Sequence, residues 1–248
     1  MEIKDISIAF VINLARREDR RDAFWQAWQG DGEKSPLSGI PAQLYTACDG
    51  SEFEPPKSWD VGRGAYGCYL SHLSLLTEVI RNGSRYVFPD GPQHFLVFED
   101  DARPVENFRE LFAAALADLP DDFDQMYLGW QAINTRRRPP AKLTEHLGRA
   151  GNCNRNHATL WSRRGAIRFL ARLTNLAERK AQHHLDHWLG ELHEELTADG
   201  RHAYNSYIAI PQLCYQAEGT SDISGRKTIE HLWYYRGNYT SEEKENGN

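Results

Sequence analysis

The chain has 248 residues, of which 40% are hydrophobic and 11% are aromatic, so it can bury one sizeable core. Its formal net charge of -6 and its pI near 5.9 argue against general nucleic-acid binding, and no stretch approaches the ~20 apolar residues of a membrane span. The four cysteines have no paired spacing and the N-terminus lacks a signal-peptide pattern, so we expect a cytoplasmic protein with reduced thiols.

Strands and helices alternate through the first half of the chain. Runs of apolar and β-branched residues predict strands over residues 6–14, 43–47, 95–98 and 125–130. Apolar positions at helical spacing predict one helix that ends near residue 28 and further helices over 64–81 and 105–119. Such alternation is typical of an α/β fold whose mainly parallel sheet is flanked by helices on both faces.

The second half of the chain is less regular. Its sequence predicts a basic, Pro-containing loop over residues 135–149 and a strand over 158–162. Helices over 164–176 and 184–198 and a strand over 207–210 follow. The sequence shows no repeat and no clear linker. One domain over residues 1–240, followed by a disordered, charged tail over 241–248, is therefore the simplest organisation.

The most informative local feature is the apolar run over residues 95–98 that ends in Glu99, Asp100 and Asp101. Ligands of open α/β sheets bind at the carboxyl ends of the strands, and carboxylate oxygens are ligands that Mg2+ and Mn2+ prefer. Adjacent acids repel one another by about 1 kcal/mol per pair or more in a partly buried site, so the pattern favours a bound cation. A solvated turn or helix cap near Pro104 is the alternative.

Two other segments supply polar groups that a ligand can use. Asn13, Arg16 and Arg20 lie at and after the end of the first predicted strand, where they can reach a nucleotide. A helix start whose charged side chains pair with one another is at least as compatible with these residues. Ser71 and His72 lie in a predicted helix and either line a cleft or pack in the core.

A histidine-rich segment gives a second candidate metal site. On a helix, His183, Asp186 and His187 share one face that could in principle hold zinc, but the segment lacks the His-Glu-x-x-His pattern of zinc hydrolases. A polar helix face is the other interpretation. Asp186 has a further use as a general base, provided that its end of the helix faces the cleft.

Six segments, taken in order, resemble motifs of one enzyme family. They are Val11-Ile12-Asn13-Leu14 with Asp19-Arg20-Arg21, the turn Asp49-Gly50, Gly67-Cys68 with Ser71-His72, the acidic segment Leu96-Val97-Phe98-Glu99-Asp100-Asp101-Ala102, the block from His157 to Ala166, and Pro211 with Ser221-Asp222-Ile223. The family is glycosyltransferase family 25, which includes bacterial lipooligosaccharide galactosyltransferases and, more distantly, collagen galactosyltransferases. Thr159 and Trp161 depart from its usual Tyr and Ile, and residues 134–156 match nothing in it, which leaves acceptor choice open.

The resemblance implies a GT-A-like fold, a UDP-sugar donor, Mn2+ or Mg2+ as cofactor, and inversion at the anomeric carbon as galactose or glucose moves to a glycan such as lipooligosaccharide. We then expect the cation to be held by Glu99, Asp100, Asp101 and His157. We expect the donor to contact Asn13, Arg16, Arg20, Gly67, Ser71, His72 and Asp100. Asp186 is the first candidate for the general base and Asp222 the second.

Two other functions remain open. A non-catalytic scaffold that binds a sugar nucleotide or a glycan would share the fold, and a metal hydrolase would use His183 and His187. No nucleic-acid partner is expected. Peripheral contact with anionic lipid at the inner face of a membrane, through Arg136, Arg137 and Arg138, and a lipid-linked acceptor are further hypotheses, and the sequence leaves the oligomeric state undetermined.

Overall fold

The central sheet of the computed structural model gathers strands from most of the chain. The structure describes residues 1–30, 35–81, 93–132, 139–176, 184–223 and 227–228. The strands are β1 (Ile8–Asn13), β2 (Ala42–Thr46), β3 (His94–Glu99), β4 (Ala102–Pro104), β5 (Gln125–Tyr127), β6 (Gln131–Ala132), β7 (Ala141–Lys142), β8 (Leu147–Arg149), β9 (Cys153–Asn154), β10 (Ala158–Ser162), β11 (Ser206–Ala209), β12 (Cys214–Gln216), β13 (Gly219–Thr220) and β14 (Lys227–Thr228). The helices are α1 (Glu18–Gln29), α2 (Arg63–Arg81), α3 (Phe108–Asp118), α4 (Arg163–Leu176) and α5 (Leu185–Glu194), with 3-10 turns at Ile3–Asp5 and Gly50–Glu52.

The main sheet has the strand order β2-β1-β3-β10-β5-β11-β8-β7. β1 pairs in parallel with β2 and β3, and β5 pairs in parallel with β11, whereas β10 is antiparallel to both of its neighbours. Six of the eight strands of this sheet therefore point in one direction, and β8 and β10 point the other way. The predicted α/β fold, with a mainly parallel sheet flanked by helices, is confirmed.

Both faces of the sheet are covered, because side chains of β3 alternate between two apolar cores. Leu96 and Phe98 enter the core that contains side chains of α1 and α3. Phe95 and Val97 enter the core that contains side chains of α2, α4 and α5. A strand buried on both faces reads as a continuous apolar run, which is why the sequence shows one here.

Trp28 of α1 ties the acidic end of β3 to the first of these cores. Its ring centroid lies 4.4 Å from that of Phe98, and its Nε1 donates a hydrogen bond to the carbonyl oxygen of Ala102 at 2.9 Å. An aromatic pair of this kind adds about 0.5–1.5 kcal/mol to the stabilisation from burial. Core packing thus helps to set the position of the turn that carries the acidic residues.

The predicted elements differ from the observed ones at short strands and helix ends. The loop predicted over residues 135–149 is wrong in part, because Ala141–Lys142 and Leu147–Arg149 are strands. Two or three residues are too few to show the alternation that marks a strand in a sequence. The helix predicted over 184–198 is shorter than expected and spans Leu185–Glu194.

Two predicted features lie outside the described residues, namely the tail over 241–248 and the basic cluster Arg136, Arg137 and Arg138. Within the described ranges, none of the helices combines the length and the apolar character that crossing a bilayer requires.

His193 of α5 is a buried histidine that links folding to pH. Its Nδ1 donates to the carbonyl oxygen of Gly151 at 2.7 Å, and its Nε2 lies 3.3 Å from the hydroxyl oxygen of Tyr127. Burial lowers the pKa of His193 to about 4. A histidine in an unfolded chain has a pKa of about 6.5, so between these two values the unfolded state binds a proton that the folded state does not.

We therefore expect the free energy of unfolding to fall as the pH is lowered from about 6.5 to about 4. This residue should contribute up to about 3 kcal/mol of the loss, because one pKa unit corresponds to about 1.4 kcal/mol. Urea titrations across this range should show a shallower pH dependence for His193→Gln than for the wild type. Identical pH dependences would contradict the assignment.

Candidate active site

A cavity of about 930 Å³ opens where β1, β2 and β3 end. The ends of neighbouring parallel strands meet at one edge of the sheet, which is where ligands of α/β proteins bind. Charged groups line much of the cavity: Asp49, Glu99, Asp100, Asp101, Asp186, Asp222, Arg16, Arg20, Arg63 and Arg155. Acids outnumber arginines in this lining, so a bound cation would reduce the excess of negative charge. Of the predicted site residues, all except Asn13, Gly67 and His157 line the cavity.

Asp100 joins the end of β3 to the end of β1 and the start of α1. Its Oδ2 accepts a hydrogen bond from Nδ2 of Asn13 at 2.7 Å, and its Oδ1 accepts one from Nη1 of Arg20 at 3.0 Å. Burial raises the pKa of Asp100 above its ordinary value, against the opposing charge of Arg20. Both carboxylate oxygens are engaged, so this side chain organises Asn13 and Arg20 at the edge of the cavity.

Asp101 has a different environment from that of Asp100. Its Oδ2 accepts a hydrogen bond from Nε2 of Gln216 at 3.1 Å and lies 3.5 Å from Nη1 of Arg20. Its Oδ1 is buried and has no hydrogen-bond partner within the described part of the chain. Burial, together with the charges of Glu99 and Asp100, raises the pKa of Asp101 to about 7. An unpartnered buried carboxylate oxygen of this kind is suited to a cation.

Glu99 points towards helix α2. Its Oε1 lies 3.1 Å from Nε2 of His72 and 3.9 Å from Sγ of Cys68. His72 is held in turn by Asn156, whose Nδ2 donates to Nδ1 of the imidazole at 3.2 Å. Burial opposes ionisation of Glu99, but the hydrogen bond from His72 brings the pKa of Glu99 below its ordinary value.

An ion-pair network joins the first loop to the C-terminal part of the described chain. Nε of Arg16 lies 2.7 Å from Oδ2 of Asp49, and its Nη1 lies 2.8 Å from Oδ1 of Asp222. Arg17 contacts Oδ2 of Asp222, and Nη2 of Arg20 lies 3.9 Å from the same oxygen. Asp222 is thus bound to guanidinium groups, an arrangement that favours a role in holding these arginines over the general-base role predicted for it.

Gly67 and Ser71 position a loop at the edge of the cavity. A Cβ atom on Gly67 would lie 2.6 Å from the backbone nitrogen of Gly50 and 2.7 Å from the carbonyl oxygen of Cys48. Oγ of Ser71 accepts a hydrogen bond from the backbone N–H of Cys48 at 2.8 Å. The motif on α2 therefore packs the turn after β2 against the helix, and Gly67 itself does not line the cavity.

His157 is placed differently from its predicted role as a metal ligand. The side chain is fully buried and does not line the cavity. Its ring packs close to Gly129, where an added Cβ would lie 2.3 Å from Nε2 of His157 and 2.4 Å from the carbonyl oxygen of Cys214. Burial lowers the pKa of His157 to about 4. The placement favours a packing role beneath the site.

Asp186 lies in the first turn of α5 and lines the cavity. Its Oδ2 is 3.4 Å from the backbone nitrogen of Arg155, which donates to it, and its Oδ1 is buried without a hydrogen-bond partner in the described ranges. His184 and His187 also line the cavity, with ring centroids 5.8 Å apart. His183, the remaining member of the predicted zinc set, lies outside the described residues.

Sequence reasoning missed several residues that contact or line the site, among them Asn154, Arg155, Asn156 and Gln216. The first three belong to a segment without a recognisable motif. Gln216 ends the short strand β12 and reaches Asp101 only because β12 pairs with β4, which follows the acidic motif. No local pattern in the sequence indicates that pairing.

The close packing at Gly67 can be tested by substitution. We expect Gly67→Ala to lower the free energy of unfolding by about 1–3 kcal/mol, because its Cβ overlaps backbone atoms and this overlap outweighs the ~1 kcal/mol that alanine gains in a helix. Urea denaturation measures the change. Thr77→Ala, nearly three turns further along α2, serves as the control and should change the free energy much less. Unchanged or increased stability of Gly67→Ala would contradict the packing described here.

Comparison with known proteins gives several relatives. The chain is 32% identical over 140 residues to procollagen galactosyltransferase 2 of Homo sapiens, which covers 52% of this chain and 20% of that protein. It is 27% identical over 176 residues to the probable inactive glycosyltransferase 25 family member 3 of Bos taurus, covering 65% and 28% of the two proteins. The chain thus spans less than a third of the length of these relatives.

Among solved structures, a glycosyltransferase involved in the glycosylation of the major capsid of PBCV-1 aligns with 83% of this chain and 93% of its own, with a TM-score of 0.44 and 8% identity. A family model described as glycosyltransferase family 25 (LPS biosynthesis protein) matches residues 6–170, which include the Asp-Gly turn, the Gly-Cys helix and the acidic motif. Because this match covers more than half of the chain, the protein belongs to glycosyltransferase family 25.

Proposed function

We propose that the chain is an inverting, cation-dependent glycosyltransferase that moves a hexose from a UDP-sugar to a hydroxyl group of a glycan. The observation that carries the proposal is the buried Oδ1 of Asp101 after the end of β3, which has no hydrogen-bond partner among the described residues. It lies in a cavity in which acids outnumber arginines. The volume of about 930 Å³ falls within the ~300–1,000 Å³ typical of small-molecule sites.

Asp101 and Glu99 are the residues best suited to hold Mn2+ or Mg2+, which prefer oxygen ligands. Asp101 offers its unpartnered Oδ1, and Glu99 offers the oxygen that does not face His72. Asp100 is less suited, because both of its oxygens already accept hydrogen bonds. When bound, the cation would stabilise the negative charge that grows on the leaving diphosphate.

Arg16, in the loop after β1, and Arg20, in the first turn of α1, are the proposed contacts of the donor diphosphate. Guanidinium groups bind phosphate oxygens in a bidentate manner, and the side chain of Arg16 is 52% exposed. Arg16 and Arg20 line the cavity next to the acidic motif. Because Arg16 is paired with Asp222, a diphosphate at this position competes with that ion pair.

Asp186 is the proposed general base. Inversion by direct displacement requires that a base removes the proton from the acceptor hydroxyl as the bond to the sugar forms. Oδ1 of Asp186, which has no hydrogen-bond partner in the part of the chain that the structure describes, is available to accept that proton, while the N–H of Arg155 holds Oδ2. No described side chain neutralises Asp186 by an ion pair within 4.0 Å, in contrast to Asp222.

The relatives guide the choice of sugar and acceptor. Those named procollagen galactosyltransferase favour galactose as the transferred hexose, with glucose as the alternative. The family description as an LPS biosynthesis protein favours a lipooligosaccharide or another lipid-linked glycan as acceptor, at the cytoplasmic side of a membrane. Relatives named inactive favour a second candidate function, the binding of a sugar nucleotide or glycan without transfer.

The cation can be tested through Asp101. We expect UDP release from a UDP-hexose in the presence of Mn2+, and loss of this release when EDTA removes the metal. Asp101→Asn keeps the shape of the side chain but removes its charge, so it should lower kcat/KM by about 100-fold or more, since a catalytic cation contributes several kcal/mol. Asp60→Asn alters an exposed carboxylate outside the cavity and should retain wild-type turnover.

The outcomes separate the two candidate functions. Binding of UDP-hexoses without turnover of any of them would identify the binding protein. Full turnover by Asp101→Asn, or in EDTA, would refute the cation assignment while leaving transfer itself intact.

The base can be tested through Asp186. We expect Asp186→Asn to lower kcat by about 10²–10⁴-fold with little change in donor affinity, because the amide cannot accept the hydroxyl proton. Glu191→Gln, an exposed change on the same helix, is the matched control and should behave as the wild type. A wild-type kcat for Asp186→Asn would exclude Asp186 as the base.

A further inference from the structure

Three side chains of different chemistry converge on one wall of the cavity. Cys68 and His72 lie one turn apart on α2, and Glu99 ends β3. One potential ligand atom from each, Sγ, Nε2 and Oε1, lies within 4.8 Å of the other two. Oε1 of Glu99 is 3.1 Å from Nε2 of His72 and 3.9 Å from Sγ of Cys68. All three residues line the cavity.

These distances are close to the spacing of ligands around a tetrahedral metal. Zinc ligands lie about 2.0–2.3 Å from the ion, which places tetrahedral ligands about 3.3–3.8 Å from one another. A set with one thiolate, one imidazole and one carboxylate favours zinc and its thiophilic neighbours, whereas Mn2+ and Mg2+ favour oxygen ligands alone. The set therefore differs in metal preference from the oxygen of Asp101.

We propose that Cys68, His72 and Glu99 form a binding site for a thiophilic divalent cation such as Zn2+. The fourth position of the ion faces the cavity, where water or a ligand can occupy it. This inference goes beyond the proposed function, because it concerns a second kind of metal and does not depend on sugar transfer.

The local charge suits such an ion. A thiolate at Cys68 and a carboxylate at Glu99 together balance a doubly charged cation, so the filled site is neutral and its burial carries a small electrostatic penalty. Asp101 and Asp186 also act electrostatically on Cys68. Their negative charges attract a cation. They also disfavour a free thiolate, and together with burial they raise the pKa of the Cys68 thiol well above its ordinary value.

Metal binding requires two proton movements. The thiol of Cys68 loses its proton to solvent, so one proton is released for each ion bound. The proton on Nε2 of His72 moves to Nδ1, which frees Nε2 to ligate. Nδ1 then needs an acceptor, and Asn156 can supply one: its Oδ1 is buried without a hydrogen-bond partner in the described structure, and its amide lies 3.2 Å from Nδ1. A half-turn of this amide presents Oδ1 to Nδ1–H, which makes Asn156 a positioning residue.

The two metal sites share Glu99, and this has a consequence for the cavity. A cation held by Cys68, His72 and Oε1 of Glu99 would lie beside a cation on the other oxygen of Glu99, and two doubly positive ions at such a separation repel. Each ion therefore opposes binding of the other.

Cobalt spectroscopy of the full chain tests the site directly. Metal-free protein is titrated with Co2+, whose bond to a thiolate gives a near-ultraviolet charge-transfer band, and Zn2+ is then added to displace it. We expect one equivalent of Co2+ with this band, and release of about one proton per ion, measured by calorimetry in buffers of different ionisation enthalpy. Cys68→Ser should lose the band and bind Zn2+ at least about 100-fold more weakly, since even outer partners of a metal site are worth about 10–100-fold.

Control variants separate ligation from folding. Cys48→Ser changes another cysteine of the same cavity and should keep the band. Glu99→Gln retains the thiol and should weaken binding, and Asn156→Ala should weaken it about 10-fold through His72. Circular dichroism establishes that each variant is folded. Absence of the band in folded wild type, its persistence in Cys68→Ser, or its loss in Cys48→Ser would overturn the proposal, whether or not sugar transfer is observed.

Discussion

Three consecutive carboxylates, one buried and two half-buried, lie at the end of β3, and their closeness is the constraint on which the site depends. Like charges at this separation repel, so each acid requires a different solution. Asp100 is neutralised by Arg20 and oriented by a residue of β1, while Glu99 is turned to α2 and bonded to His72. Asp101 keeps one oxygen without a partner among the described residues. These contacts bring β1, α1 and α2 to the end of β3. The negative charge of Asp101 is the one that these contacts compensate least.

Ion pairs and hydrogen bonds also join the C-terminal part of the described chain to the loop after β1 and the start of α1. Asp222 and Arg16 form an ion pair across the cavity, and Nη2 of Arg20 donates to the carbonyl oxygen of Thr220 at 2.8 Å. Gly64 lets this segment approach α2, because a Cβ there would lie 2.5 Å from the carbonyl oxygen of Asp222. A partly exposed ion pair of this kind is worth little in isolation. Its effect is to keep guanidinium groups at the cavity edge until an anion of higher charge competes for them.

How far the sequence predicts this site depends on the range of the interactions. The acidic motif was predictable because a strand buried on both faces leaves a continuous apolar run, and its polar end then stands out. The partners of Asp101 and His72 were not predictable from the sequence. Gln216 reaches Asp101, and Asn156 reaches His72, only because distant segments of the chain pair in the folded structure. The role of Gly67 was misread for a similar reason: a glycine that admits a ligand and one that admits a neighbouring turn look identical in a sequence.

Arg155, which lies beside Asp186 in the cavity, has an unusual backbone conformation. Its φ of 78° lies in the left-handed region, which a residue with a Cβ adopts at a cost of about 1–3 kcal/mol. Such a conformation persists when the surroundings impose it, and here the N–H of Arg155 donates to Asp186 while its Nε donates to Gln131. The residues that position the proposed base therefore belong to the segment without a family motif. The orientation of the Asp186 carboxylate therefore depends on this segment, and a change of sequence there alters it.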